Sequence, residues 1–146
     1  MRRRPEHAVT FQAKVAFQQC DPLGVVWHGR YFEWMEAARG ELFASRGLDI
    51  PELVALGHRM YVVEARCRYM VPLTYGDTVL VTAWFTAVEP LIRVAYDLVD
   101  PVRGRWCARA HTLLAIADQR GALVPRTPKE LLDRLPTLSG PAAGPP

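Results

Sequence analysis

Residues 19–46 read QCDPLGVVWHGRYFEWMEAARGELFASR. From about Arg30 to Arg46, Tyr31, Trp34, Met35, Ala38, Leu42 and Phe43 recur at three- and four-residue spacing, while Glu33, Glu36 and Glu41 fall elsewhere. That is one apolar stripe on one helix. Gly47 supplies the stop, and the helix should be about 25 Å long, enough to lie across a sheet. Gly40 inside it lowers helix propensity by roughly 1 kcal/mol relative to Ala, which points to close packing or to a functional need.

The segments on either side of this helix have the period of strands. Phe11, Ala13, Val15 and Phe17 alternate with Gln12, Lys14 and Gln18, as in a half-buried strand over 11–18. Asp21-Pro22-Leu23-Gly24 closes it with type I turn chemistry. Asp49, Pro51, Glu52 and Gly57 bracket a short second helix over 50–56. Four strands follow in a meander: 59–69, 78–88, 91–99 and 106–117. In the first, Tyr61, Val63, Ala65, Cys67 and Tyr69 alternate with Glu64, Arg66 and Arg68. The second is apolar on nearly both faces and so central. Thr127-Pro128-Lys129-Glu130 reads as a capping box opening a last helix that runs to about Leu135. Strands in sequence with one early helix indicate an α+β fold, a five-stranded antiparallel sheet wrapped around one long helix. Its open edges call for a homo-oligomer, a dimer or tetramer.

The chain has 146 residues, half of them apolar and 23% charged. That is one domain with one core, too small for a doubly wound cofactor domain plus a substrate domain. Residues 1–8 read as a loose arm, 9–136 as the domain, and 137–146 (TLSGPAAGPP) as a disordered tail. The longest uncharged apolar run, Thr78–Val88, falls well short of the roughly 20 residues of a membrane span. Pro5-Glu6-His7 interrupts what would be a signal peptide, so the expected location is cytoplasmic. The cysteines Cys20, Cys67 and Cys107 form no metal-ligand spacing, and no metal or redox cofactor is expected. The net charge is +3, and 16 of the 18 basic residues are arginine. This charge is spread along the chain, which suits anionic small molecules at least as well as nucleic acid, and no nucleic-acid motif is present.

Chemistry concentrates between residues 21 and 31. Asp21 lies in a strand-to-helix loop, and His28 follows at the N-terminal edge of the long helix. First-turn N–H groups are unpaired donors that can hold an oxyanion. A carboxylate beside them can serve as base toward water or attack directly. Each residue also has a plain alternative: Asp21 as a turn residue ahead of Pro22, His28 as a packing histidine.

The string Asp21-Pro-Leu-Gly-Val-Val-Trp-His28-x-x-Tyr31, with Glu36-x-x-Arg39 downstream, resembles the signature of hotdog-fold acyl-CoA thioesterases. These include the 4-hydroxybenzoyl-CoA and Tol–Pal-associated thioesterases. Tyr69-Met-Val-Pro72-Leu-x-Tyr-Gly76-Asp77 and Arg126-Thr-Pro128-Lys-Glu130 resemble two later family segments, so that the likeness spans about residues 9–135. The resemblance implies a hotdog fold and hydrolysis of an acyl-CoA to free acid and CoA, with CoA as part of the substrate and no further cofactor. It places catalysis on Asp21, assisted by His28, and the thioester carbonyl beside Gly29, Arg30 and Tyr31. Arg30 stands where relatives usually carry Asn; it either reaches a CoA phosphate or pairs with Glu33. Arg66 and Arg68 are the chosen candidates for CoA phosphates, for which arginine is well suited.

Other residues are weaker candidates. Glu64 shares a polar strand face with Arg66 and Arg68. Cys20 has only His28 nearby to activate it. His58 and His111 have no partner legible in the sequence. Two rival functions share the fold: a thioesterase acting on carrier-protein-bound chains, and a non-catalytic acyl-CoA-binding protein.

Overall fold

A computed structural model describes residues 3–138. Met1, Arg2 and residues 139–146, most of the expected tail, lie outside the described residues. The elements run β1 (Val9–Lys14), α1 (Tyr31–Ala44), α2 (Ile50–Ala55), β2 (Arg59–Tyr69), β3 (Thr78–Ala87), β4 (Ile92–Asp100), β5 (Arg105–Ala117) and α3 (Lys129–Leu132). The five strands form one antiparallel sheet in the order β1-β3-β4-β5-β2. Only β3, β4 and β5 are a meander. β2 crosses to the far edge to pair with β5, which corrects the expectation of four strands in sequence.

The stripe expected on α1 is the stripe that is buried: Tyr31, Trp34, Met35, Ala38, Leu42 and Phe43. It lies on the sheet face built from Val79, Val81, Phe85, Ile92, Val94, Tyr96 and Leu98, and Phe43 meets Phe85 edge-on at 5.2 Å. Each such side chain contributes about 1.5–3 kcal/mol by leaving water. This is the hotdog arrangement, a sheet wrapped on one helix. Among the described residues no helix is long and apolar enough to cross a membrane.

Three local expectations change. β1 ends at Lys14 because Val15 N–H donates to Asp77 O and the chain then turns through Phe17–Gln19. β2 carries an irregularity between Val62 and Glu64, which inserts one extra residue. Cross-strand partners share a face, so Tyr61 joins Glu64, Arg66 and Arg68 on the outer face, while Met60 and Val62 join Ala65, Cys67 and Tyr69 on the inner one. The last helix has no capping box and ends at Leu132. Thr127 Oγ1 instead donates to the carbonyls of Val88 (2.6 Å) and Pro90, and Glu130 pairs with His58. Tertiary partners took both halves of the motif. At the other end of the chain, His7 Nε2 accepts from Phe85 N–H, and Arg4 lies over Trp84 and pairs with Asp97.

Candidate active site

The stretch before α1 is a small hairpin. Asp21 N–H donates to Val25 O (2.8 Å), Gly24 N–H to Asp21 O, and Trp27 N–H to Gln19 O (2.9 Å). Gly24 sits at φ +80°, a conformation that favours glycine, which is why the turn closes there. The hairpin is sewn to the β2–β3 connection by Val26 N–H donating to Leu73 O. Asp21 is therefore held by its backbone, while its carboxylate accepts one hydrogen bond, from Leu23 N–H at 2.9 Å. Asp21 and His28 share this hairpin segment without being hydrogen-bonded to each other.

His28–Arg30 then form one turn of 3₁₀ helix leading into α1. Arg30 N–H donates back to Trp27 O, and Tyr31 N–H to Gly29 O. The turn's own bonds thus leave the N–H of Gly29 unspent. A Cβ on Gly29 would stand 2.3 Å from the Trp27 ring, so only glycine lets the indole fold over this turn. The helix start supplies partial positive charge at the same place.

Tyr69, at the end of β2, closes the other side. Its hydroxyl donates to His28 O at 2.6 Å, and its ring meets Tyr31 edge-on at 4.9 Å and His28 at 6.2 Å. Burial pushes the Tyr31 hydroxyl up to about 12, against a backbone hydrogen bond at Leu73 that favours its ionised form. Burial likewise pushes up Tyr69 and Cys67. All three are neutral at pH 7, so the tyrosine hydroxyls remain donors. Sequence reasoning had Tyr69 only as a letter in a motif. Its contact with His28 spans 41 residues and becomes visible only when β2 is placed beside α1.

The remaining candidates separate cleanly. Arg30 pairs with Glu33 (2.7 Å) and reaches Gln18 O, the second of its two expected orientations. Cys20 Sγ donates toward Ala16 O at 4.0 Å. Glu64 pairs with His111 at 3.0 Å on the outer sheet face, and His58 with Glu130 at 2.5 Å, so both histidines do have partners. On that outer face Arg66 stands opposite His111 and Arg68 opposite Arg109. Among the described residues no group of three or more His, Cys, Asp or Glu side chains could hold a metal ion.

Known proteins share the fold of this chain. The model of the thioesterase-like superfamily matches residues 15–135. A Synechocystis sp. protein named "Putative esterase" is 32% identical over 115 residues, 77% of this chain and 69% of its own length. The 4-hydroxybenzoyl-CoA thioesterase of Pseudomonas sp. is 39% identical over 41 residues, 28% of this chain and 29% of that one. A crystal structure of a 4-hydroxybenzoyl CoA thioesterase mutant, complexed with 4-hydroxybenzoyl CoA, superposes with TM-score 0.78. It shows 18% identity and covers 89% of this chain and 99% of that one.

Proposed function

The chain belongs to the thioesterase-like superfamily, a thioester hydrolase of hotdog fold, and from that premise we propose that it hydrolyses an acyl-CoA to the free acid and CoA. The observation that carries this reading is Asp21: a half-buried carboxylate with spare acceptor capacity, on a hairpin whose base leads directly into a helix start. The thioester carbonyl lies against the Gly29 N–H and the first turn up to Arg30 and Tyr31, where developing negative charge meets donors that need no reorganisation. Asp21 is the catalytic carboxylate, acting on water or on the carbonyl carbon. His28, exposed at the same mouth, orients water or substrate.

Arg66 and Arg68 take the CoA phosphates. Like charges directly opposite each other across a sheet are unfavourable, and Arg68 facing Arg109 is such a pair. Arg109 is partly neutralised by Asp97 at 3.7 Å and stacks on Trp106, which leaves Arg68 on the same face as the arginine to meet a phosphate. Arg66→Ala and Arg68→Ala should raise KM for a CoA thioester several-fold while leaving the matching N-acetylcysteamine thioester, which has no phosphate, unchanged. Equal effects on both substrates would remove the assignment.

The working form is a homo-oligomer joined at β2. That 11-residue edge strand exposes Tyr61, Val62, Val63 and Tyr69, each by more than two-fifths, which is unusual for an edge left open to water. Sedimentation should give at least a dimer; a monomer at micromolar concentration would refute this part.

The central test is release of free thiol across a panel of aliphatic and aryl CoA thioesters, with Asp21→Asn and Asp21→Ala as controls. Turnover should fall by roughly 10²-fold or more in both, with the fold retained. Near-wild-type turnover in either variant would sink the mechanism.

A further inference from the structure

Positive charge that is spread along the sequence is gathered by the fold onto the outer face of the sheet, the face turned away from α1. Three successive cross-strand rows carry it. They are Arg93–Leu113–Glu64, then Trp84–Ala95–His111–Arg66, then Thr82–Asp97–Arg109–Arg68. Arg4 of the N-terminal arm lies on the same face, over Trp84 and Trp106 at 4.6 and 5.5 Å. Five arginines there meet two acids, a net +3, which equals the net charge of the whole chain. The patch spans about 14 Å across four strands and about as much along them.

The chemistry of the patch is more than charge. Arg4 and Arg109 are laid flat on indoles, Arg109 over Trp106 at 4.1 Å, and both pair with the buried Asp97. Their guanidinium groups are thus fixed from beneath, and Arg109 is half exposed on its other side. A fixed guanidinium plane is a stacking surface for a nucleobase. Beside it, Arg66, Arg68, Arg109 and His111 border a hollow of about 270 Å³, a setting that suits a phosphate. The acyl-CoA reading uses only Arg66 and Arg68, and gives no task to Arg4, Arg93, Arg109 or the two indoles. A second copy of this face is a poor occupant, because like charges repel. A duplex is a poor one too, because a flat sheet offers nothing that enters a groove.

We propose that this outer face binds single-stranded nucleic acid, with phosphates on Arg66, Arg68 and Arg93 and bases stacked on Arg4 and Arg109. RNA and DNA share that chemistry. The inference is independent of the thioesterase reading, and thiol release is not among its readouts.

The test is fluorescence anisotropy of a labelled 15-nucleotide RNA and the matching DNA, titrated with the full chain in 50 and 200 mM salt. The same strand as a duplex, a base-free polyphosphate and vesicles of anionic phospholipid are the controls. Either single strand should bind with micromolar affinity in 50 mM salt and quench tryptophan emission. Three or four phosphate contacts should make binding about 20- to 50-fold weaker in 200 mM salt. Arg66→Gln with Arg93→Gln should lower the slope of log affinity on log salt by about 1.4. Arg109→Lys keeps the charge but removes the plane, so it should weaken the strand several-fold and leave polyphosphate unchanged. Thermal melts of the variants should stay close to that of the unaltered chain, so that a lost fold does not stand in for a lost contact. No binding of either strand at 100 μM protein would overturn the proposal. So would a duplex or polyphosphate that binds as tightly as the strand, or an Arg109→Lys chain that binds it equally well. Vesicles bound in preference to the strand would assign the face to a membrane surface and overturn it as well.

Discussion

Two corners of this molecule use their aspartates in opposite ways. At the β4–β5 corner, the Asp100 side chain is fully buried and accepts from Arg103, Arg105 and the N–H groups of Val102 and Arg103. Asp77 beside it accepts from Arg103 and from the Thr74 N–H and hydroxyl. Asp100 thus accepts four hydrogen bonds and Asp77 three, close to what a carboxylate can take. At the hairpin, Asp21 accepts from Leu23 N–H and keeps the rest of its capacity. A saturated carboxylate holds a fold together, whereas one with free lone pairs beside a helix start can do chemistry. Exchanging the two residues' fates is the sharpest way to break this contrast. Asp21→Asn should lose roughly 10²-fold or more in turnover with Tm nearly unchanged. Asp100→Asn should lower Tm by several degrees with kcat nearly intact in the surviving folded protein. Thermal melts and thiol release on the two variants decide it; a large Tm loss at Asp21 would make it a structural residue like the others.

The hairpin side of the contrast depends on the turn being held in place. Gly29→Ala forces the Trp27 ring off the turn, and kcat should drop about tenfold, with a shift in tryptophan emission reporting the moved ring. Tyr69→Phe deletes one hydroxyl contact to His28 O. A single net hydrogen bond is worth about 0.5–1.5 kcal/mol, so kcat should fall about two- to tenfold with KM little changed. An unchanged kcat would reduce Tyr69 to packing.

What could be read in advance divides along the same line. The α1 stripe and the existence of every strand were legible, because period and burial are local consequences of side-chain order. The Asp21 to Tyr31 segment was legible as a unit because all of its members lie within eleven residues. What failed was whatever depended on a partner far along the chain. The irregularity at Val62 reverses the faces of β2 because β5 pairs with it, and β5 begins more than forty residues later. Thr127 and Glu130 have the spacing of a capping box, but Val88, Pro90 and His58 outcompete the helix for them. The sequence leaves Gly40 open between close packing and a functional need, and only the arrangement of α1, α2 and β2 reveals open space beside it.

The saturated corner offers the smallest expected effect and the cleanest sign. For Asp100 the hydrogen bonds from Arg103 hold the carboxyl below its ordinary range. For Asp77 burial works against ionisation, but Thr74 and Arg103 overcome it and the net direction is again downward. A carboxylate lowered in the folded state contributes stability that is complete above its unfolded value of about 3.8, and that is lost as pH falls through the lower folded value. Arg103 itself is half exposed, so solvent screens its contribution. Arg103→Met should therefore cost only a few degrees of Tm at pH 7. The difference from the unaltered chain should shrink as pH drops from about 5 toward 2, because protonated aspartates no longer need the guanidinium. Tm measured over that range tests it. A gap that widens on acidification would mean that Arg103 serves the fold by packing over the corner rather than by holding the charge of Asp77 and Asp100.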